Sequence, residues 1–132
     1  MPKSNHQGSC LCGKVTFTVN GQLRPIIYCH CTQCRKQTGH FLAATACATS
    51  DLTIRDQQSL AWYRASDQAS RGFCANCGST LFWKPDHGRH VSIAAGAIDG
   101  PTELVSEGHI FCADKGDYYE IPLDQGYVRQ SV

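Results

Sequence analysis

The number and spacing of the cysteines in this sequence indicate that they have a chemical role. The 132-residue chain contains nine cysteines, and seven of them lie in three short motifs, G-S-C-L-C-G, Y-C-H-C-T-Q-C-R-K and F-C-A-N-C-G-S. Thiolates are preferred ligands of Zn²⁺, and C-x-C or C-x-x-C spacing brings two sulfurs around one ion. The pattern therefore predicts zinc binding by Cys10, Cys12, Cys29, Cys31, Cys34, Cys74 and Cys77.

Disulfide bonds are the competing explanation for so many cysteines. An odd number of cysteines cannot pair completely within one chain. The first ten residues, M-P-K-S-N-H-Q-G-S-C, lack the apolar segment of a secretory signal peptide, so we expect a cytoplasmic protein. Thiols stay reduced in the cytosol, where clustered cysteines bind metal or carry out chemistry.

The number of ligands separates two kinds of zinc site. The first and third motifs together provide four thiolates, which make a closed structural site. The middle motif provides three, which leaves the fourth position open, as in catalytic zinc sites. The closed set is Cys10, Cys12, Cys74 and Cys77, and the open set is Cys29, Cys31 and Cys34.

A fourth protein ligand would close the second site. Cys47, Cys112 and His109 are the candidates in the rest of the sequence. The apolar runs A-T-A-C-A-T and H-I-F-C-A-D favour buried structural positions for the two cysteines. The residues alone are compatible with both an open and a closed form of this second zinc site.

The local backbone around the motifs can also be anticipated. A C-x-C pair on an extended strand presents both side chains on one face, which we expect for Cys10 and Cys12 and for Cys29 and Cys31. His30 then points to the opposite face. In the third motif, the glycine after the second cysteine eases a tight turn.

The remaining segments are typical of short strands separated by glycine and proline. Asn20-Gly21 predicts a hairpin turn, and residues 32–38 predict a short helix that ends at Gly39. With no long helical period, repeat or linker, the chain predicts a single mostly-β domain over residues 1–132. Strands are predicted near residues 15–19, 26–28, 41–49, 60–64, 79–83, 91–95 and 109–112, with Trp62, Tyr63, Phe82 and Trp83 in the core.

Charge and hydropathy exclude two classes of partner. The 12 basic and 11 acidic residues give a net charge of +1, without the basic excess of a nucleic-acid-binding protein. No apolar run approaches the roughly 20 residues that a membrane-spanning helix needs. We therefore expect a small-molecule partner, with no nucleic acid and no membrane.

The three cysteine motifs in this order, followed by A-A-G-A-I-D and H-I-F, resemble the glutathione-dependent formaldehyde-activating enzyme family, which also contains centromere protein V. The resemblance runs over residues 8–122. It implies a β-tent fold of two small antiparallel sheets pinned by zinc knuckles, with two Zn²⁺ per chain. It also implies a carbon–sulfur lyase-type reaction that joins formaldehyde and glutathione, the co-substrate, as S-hydroxymethylglutathione. The implied ligands are Cys10, Cys12, Cys74 and Cys77 for structural zinc and Cys29, Cys31 and Cys34 for catalytic zinc.

One segment departs from the family pattern. Many members carry a tryptophan before the closing Y-x-I-P, where this chain has D-Y-Y-E-I-P at residues 117–122. If that position lines the substrate groove, a different substrate is expected.

The chemistry of a three-thiolate zinc is consistent with a thiol substrate. Three thiolates on a divalent ion leave one net negative charge, which makes zinc a poor Lewis acid but a good acceptor for another soft ligand. A bound substrate thiol, such as that of glutathione, is held as the nucleophilic thiolate. Its attack on an aldehyde carbon gives a hemithioacetal.

Nearby polar side chains are candidate helpers. Arg35 and Lys36 follow Cys34 and could offset the anionic zinc or bind a substrate carboxylate, or they could be solvated helix residues. His30 and His40 are weaker candidates for proton transfer, since strand alternation directs His30 away from the ligands.

Two other function classes stay open. One is a thiol redox enzyme that uses Cys31 and Cys34 as exchanging thiols. The other is a zinc-stabilised binding module, or a glutathione carrier without catalysis. A closed second zinc site favours the module, whereas an accessible fourth position favours the enzyme.

Overall fold

Strands make up most of the regular structure in the computed structural model, which describes residues 4–132. A short helix, α1 (Thr32–Thr38), follows the third strand. The strands are β1 (Asn5–Ser9), β2 (Thr16–Asn20), β3 (Ile26–Cys29), β4 (Leu42–Ala48), β5 (Leu52–Arg55), β6 (Leu60–Arg64), β7 (Ala69–Cys74), β8 (Thr80–Pro85), β9 (His90–Ala94), β10 (Ser106–Ile110) and β11 (Tyr127–Val128).

These strands form two sheets, which confirms the predicted mostly-β architecture. The smaller sheet has the order β1-β2-β5, and both of its pairs are antiparallel. The larger sheet has the order β11-β10-β3-β4-β9-β8-β7-β6. It is mixed, because β10 runs parallel to both β3 and β11. Parallel pairing is accessible here since long connections, with no tight turn, separate β10 from β3 and from β11.

The hydrophobic core lies between the two sheets. Phe17 of β2 meets Phe82 of β8 edge to face, with ring centroids 5.2 Å apart. Ile93 of β9 is fully buried in the same cluster, and burying a side chain of this size contributes about 1.5–3 kcal/mol. Cys10 and Cys74 belong to this cluster as well. Core packing therefore fixes the ends of β1 and β7, where the first and third cysteine motifs lie.

The aromatic residues predicted for the core divide between two environments. Phe82 is buried, as expected. Trp62 and Tyr63 are 43% and 64% exposed, so their predicted core positions are wrong. They lie on β6, the edge strand of the larger sheet, which has a neighbour on one side only.

The predicted short helix is confirmed as α1. Gly39 follows it in the left-handed conformation, with φ of 83°, and its N–H bonds to the carbonyl of Arg35 at 2.8 Å. Glycine suits this position because it adopts positive φ without the steric penalty of a side chain. Within residues 4–132, no helix has both the length and the apolar character to cross a membrane.

The hairpin predicted at Asn20-Gly21 is wrong. Strand β2 pairs with β1 and β5, while the chain beyond Gly21 passes to β3 in the larger sheet. Gly21 instead lies against Asp51, so closely that a Cβ atom would collide with the carboxylate. The close contact with Asp51, rather than a two-residue turn, therefore explains why glycine occupies position 21.

Candidate metal centres

The structure brings Cys10, Cys12, Cys74 and Cys77 together. Their Sγ atoms all lie within 4.8 Å of one another. The Sγ of Cys12 is 3.6 Å from that of Cys10 and 3.7 Å from that of Cys74. Tetrahedral zinc with bonds of about 2.3 Å places its sulfurs about 3.8 Å apart. The spacing of this four-cysteine cluster therefore fits a zinc ion.

The first pair of this cluster lies in a turn. Strand β1 ends at Ser9, so the expectation that Cys10 and Cys12 lie on an extended strand is wrong. Gly13 closes the turn with φ of 81°, and its N–H bonds to the Cys10 carbonyl at 3.1 Å. The curved backbone of this turn, rather than the alternation of a strand, brings both sulfurs to the same side.

The second pair lies in the turn after β7. Gly78 has φ of 81°, and its N–H bonds to the carbonyl of Cys74 at 2.7 Å. The N–H of Cys77 points at the Cys74 sulfur, 3.5 Å away. Ser79 accepts a hydrogen bond from the Leu11 N–H at 2.9 Å and thereby joins the two turns. The predicted role of the glycine in this motif is confirmed.

Local hydrogen bonds and burial act in opposite directions on these thiols. Hydrogen bonding by Ser79 lowers the pKa of Cys77 to about 5. The side chain of Asn76 is the largest influence that lowers the pKa of Cys12. Burial raises the pKa of Cys74 to about 11, a shift that a cation bound to this sulfur would oppose. Such a set of donors suits a soft divalent ion.

The middle motif forms a second, three-cysteine cluster. Cys29 ends β3, Cys31 caps the N-terminus of α1, and Cys34 lies in the first turn of that helix. The Cys31 sulfur accepts a hydrogen bond from the Cys34 N–H at 3.3 Å. The three Sγ atoms lie within 4.8 Å of one another. The end of β3 and the start of α1 thus direct three sulfurs toward one point.

In the three-cysteine cluster, one sulfur takes the negative charge most readily. Hydrogen bonds from Cys29 and then Cys34 lower the pKa of Cys31 to about 2, and the positive charge of Arg71 acts in the same direction. The pKa of Cys29 is raised because its thiol is the donor to Cys31. The cluster is therefore suited to bind a cation through thiolate sulfur.

A cavity of about 550 Å³ opens over the three-cysteine cluster. This volume lies within the range of small-molecule sites in proteins. All three cysteines line it, and strands of the larger sheet form much of an apolar wall. Lining side chains that bear on the chemistry are Ile27, Trp83, Phe111, Arg24, Arg71 and Asp114.

The three candidates for a fourth ligand lie elsewhere. In residues 4–132, no fourth histidine, cysteine, aspartate or glutamate joins the three-cysteine cluster. Cys47 and Cys112 are buried thiols outside both clusters, as their apolar surroundings predicted. His109 engages both ring nitrogens elsewhere, with His30 at 2.8 Å and Gln125 at 3.1 Å.

His30 lies away from the cavity, as strand alternation predicted. It is fully buried, and its Nδ1 lies 2.7 Å from the hydroxyl of Tyr119. Burial lowers its pKa to about 4, with the neighbouring His109 acting in the same direction. His40 is exposed and its ring packs at a tilt against Phe41, also outside the cavity lining. Neither histidine is placed to act on a molecule in the cavity.

The divergent segment 117–122 is also outside the cavity lining. The Tyr119 hydroxyl is directed at His30, and the Tyr118 hydroxyl donates to the Gly39 carbonyl at 2.9 Å. This segment therefore contacts the residues that flank α1 on both sides, and it does not line the cavity.

The cation beside the three-cysteine cluster is Arg71, which the sequence did not single out. Its Nη2 lies 3.5 Å from the Cys34 sulfur, and the side chain is 7% exposed. Lys36 is exposed, and Arg35 does not line the cavity. Arg71 comes from β7, 37 residues away from Cys34 along the chain, so spacing within the motif gave no signal for it.

Comparison with known proteins gives one family and two relatives. The model of the glutathione-dependent formaldehyde-activating enzyme family matches residues 5–114. A Halomonas elongata protein named as a glutathione-dependent formaldehyde-activating enzyme is 30% identical over 128 residues, covering 87% of this chain and 80% of that protein. An uncharacterized lyase of Schizosaccharomyces pombe is 27% identical over 116 residues, covering 87% and 84%.

A solved structure shares the fold. The crystal structure of a Rhodobacter sphaeroides protein matches with a TM-score of 0.62 and 24% identity. The match covers 78% of this chain and 98% of that chain. With the family match over most of its length, the chain belongs to the glutathione-dependent formaldehyde-activating enzyme family.

Proposed function

We propose that this protein is a zinc-dependent carbon–sulfur lyase-type enzyme that forms or cleaves a glutathione–aldehyde adduct such as S-hydroxymethylglutathione. The observation that carries the proposal is a cavity of about 550 Å³ lined by three clustered cysteines. No fourth protein ligand joins them in the described part of the chain. Membership of the family and the lyase name of the yeast relative support a lyase-type enzyme.

We assign different roles to the two clusters. The four-cysteine cluster holds structural zinc, because its sulfur spacing suits a closed tetrahedron and two of its cysteines, Cys10 and Cys74, belong to the core. The three-cysteine cluster holds catalytic zinc. When bound there, zinc lowers the pKa of a thiol that takes the remaining position, so the thiol binds as thiolate.

The chain's own residues position the reactants. Cys29, Cys31 and Cys34 fix the point at which the substrate sulfur is held, and apolar side chains such as Trp83 and Phe111 limit water around it. The sulfur attacks the aldehyde carbon, so a carbon–sulfur bond forms and the carbonyl π electrons move to oxygen. The proton released by the thiol ends on that oxygen, and cleavage of the adduct reverses each change.

The alternative functions are less compatible with this site. A purely structural second zinc needs a fourth protein ligand, and none joins the cluster in residues 4–132. A redox role for Cys31 and Cys34 needs them free of metal, whereas Cys29 completes a set of three sulfurs suited to an ion. A glutathione carrier uses the same binding step without acceleration, so a rate measurement separates it from an enzyme.

The direct test is the exchange rate between free glutathione with formaldehyde and their adduct. Exchange spectroscopy by NMR measures this rate at equilibrium, with and without the zinc-loaded protein. The proposal expects acceleration by the wild-type protein and its loss in Cys31→Ser. Cys47→Ala, which removes a buried thiol outside both clusters, is the matched control and is expected to retain the acceleration. An unaccelerated exchange with wild-type protein would contradict the enzyme and favour the carrier.

A further inference from the structure

Arg71 is a buried cation whose guanidinium is held on three sides. Its Nε donates to the Gln33 side-chain oxygen at 3.1 Å, and its Nη1 donates to that of Gln37 at 2.7 Å. Its Nη2 points at the Cys34 sulfur, 3.5 Å away. All three partners lie on α1, so a residue of β7 is fixed against the helix that carries Cys34.

The hydrogen bonds around Arg71 also fix its orientation. Gln33 donates through Nε2 to the carbonyl of Ala65 at 3.2 Å, which turns its oxygen toward Arg71. A planar guanidinium can bond two such oxygens and a sulfur together, whereas an ammonium group lacks this fork geometry. These hydrogen bonds therefore favour arginine over lysine at position 71, and they hold the positive charge beside the sulfur of Cys34.

Among residues 4–132, no carboxylate forms an ion pair with this buried charge. Within residues 4–132, the ion pair found is between Arg64 and Asp86, on the surface. The partners of Arg71 are two neutral amides and one sulfur. Buried arginine is rarely left without an anionic partner, because removing its charge from water is costly. The groups beside Arg71 that can carry a compensating negative charge are the sulfurs of the three-cysteine cluster, of which that of Cys34 is its direct partner.

We propose that Arg71 is a positioning residue that makes the fourth position of the three-cysteine site selective for an anionic thiolate, an inference that rests on the proposed function. Three thiolates with a divalent ion carry one net negative charge, so another anion is repelled. The fixed guanidinium of Arg71 cancels that charge. This compensation strengthens the binding of an entering thiolate, whereas it changes the binding of a neutral ligand little.

Binding of simple ligands to the cobalt-substituted protein tests this proposal without measuring catalysis. Sulfur-to-cobalt absorption reports a fourth thiolate, with 2-mercaptoethanol as the probe because it has no other charged group. Imidazole serves as the neutral probe. Arg71→Met is expected to weaken 2-mercaptoethanol binding roughly tenfold or more while changing imidazole binding much less.

Three further variants separate charge from structure. Lys36→Met removes an exposed cation from the same helix and is expected to leave both affinities unchanged. Arg71→Lys keeps the charge but loses the fork, so its thiol affinity should lie between those of wild type and Arg71→Met. If Arg71→Met fails to fold, Gln37→Leu removes one oxygen that holds the guanidinium and should weaken thiol binding in the same selective way.

The outcomes distinguish this proposal from the function on which it rests. Equal thiol affinity in wild type and Arg71→Met, or an equal loss for thiol and imidazole, would overturn the role of Arg71 and leave the proposed function standing. Absence of any thiol-dependent absorption in the cobalt-loaded wild-type protein would overturn both.

Discussion

The Nε2 atom of His30 lies 2.8 Å from Nδ1 of His109, and both side chains are fully buried. The Gln125 oxygen accepts from Nε2–H of His109 at 3.1 Å, which leaves Nδ1 of that ring as an acceptor. His30 therefore donates through Nε2 and accepts at Nδ1 from the Tyr119 hydroxyl at 2.7 Å. Burial lowers the pKa of both histidines, that of His30 to about 4, which favours the neutral rings that this pattern of hydrogen bonds requires. This chain of hydrogen bonds holds the residue between Cys29 and Cys31 from the side opposite the sulfurs.

Removal of the Tyr119 hydroxyl tests the support that this chain gives to the fold. Tyr119→Phe leaves Nδ1 of His30 without its donor in the interior, which should lower the free energy of unfolding by about 1–3 kcal/mol. Urea denaturation measures the change. Tyr118→Phe is the control, because the Tyr118 hydroxyl bonds the Gly39 carbonyl from an exposed side chain. An equal effect of the two substitutions would contradict the account.

The two cysteine clusters should respond differently to loss of one sulfur. Cys74→Ser removes a ligand of the cluster that is continuous with the core, so we expect loss of cooperative thermal unfolding. Cys31→Ser should leave a folded protein, since its cluster lies at the wall of the cavity. Circular dichroism during heating makes the comparison. A Cys31→Ser variant that melts as early as Cys74→Ser would show that the proposed division of roles is wrong.

Gly78 should contribute to the four-cysteine cluster through its backbone alone. Its φ of 81° is disfavoured for alanine, although a Cβ there meets no atom within 4 Å. Gly78→Ala should therefore destabilise the fold by about 1–2 kcal/mol and speed the loss of metal from this cluster. Gly96→Ala is the matched control, because Gly96 also has open space around it but no positive φ. Equal unfolding free energies for the two variants would contradict the role of the turn.

Local features of the site were predictable from the sequence. The cysteine motifs, and the glycines that directly follow two of them, are set by short spacing, and the structure gathers the seven cysteines into two clusters. The start of α1 and its end at Gly39 also follow from neighbouring residues. The strand alternation that directs His30 away from the sulfurs is a local property too.

Features that depend on distant packing were missed. The segment A-S-R-G-F-C of β7 alternates weakly, so neither the strand nor the buried Arg71 was expected. Asn20-Gly21 has the composition of a hairpin, but pairing of β2 with β5 determines the path of the chain. His109 looked available as a ligand until its position beside His30 was known. In each case the deciding contact joins residues far apart in sequence.

The central claim is that the protein has one closed and one open zinc site, and zinc content during mild chelation tests it most directly. Metal per chain is measured by mass spectrometry before and after treatment, with circular dichroism on the same samples. The account predicts two zinc ions, one of which is removed readily while the fold persists. One zinc per chain, or two that resist chelation equally, would contradict it.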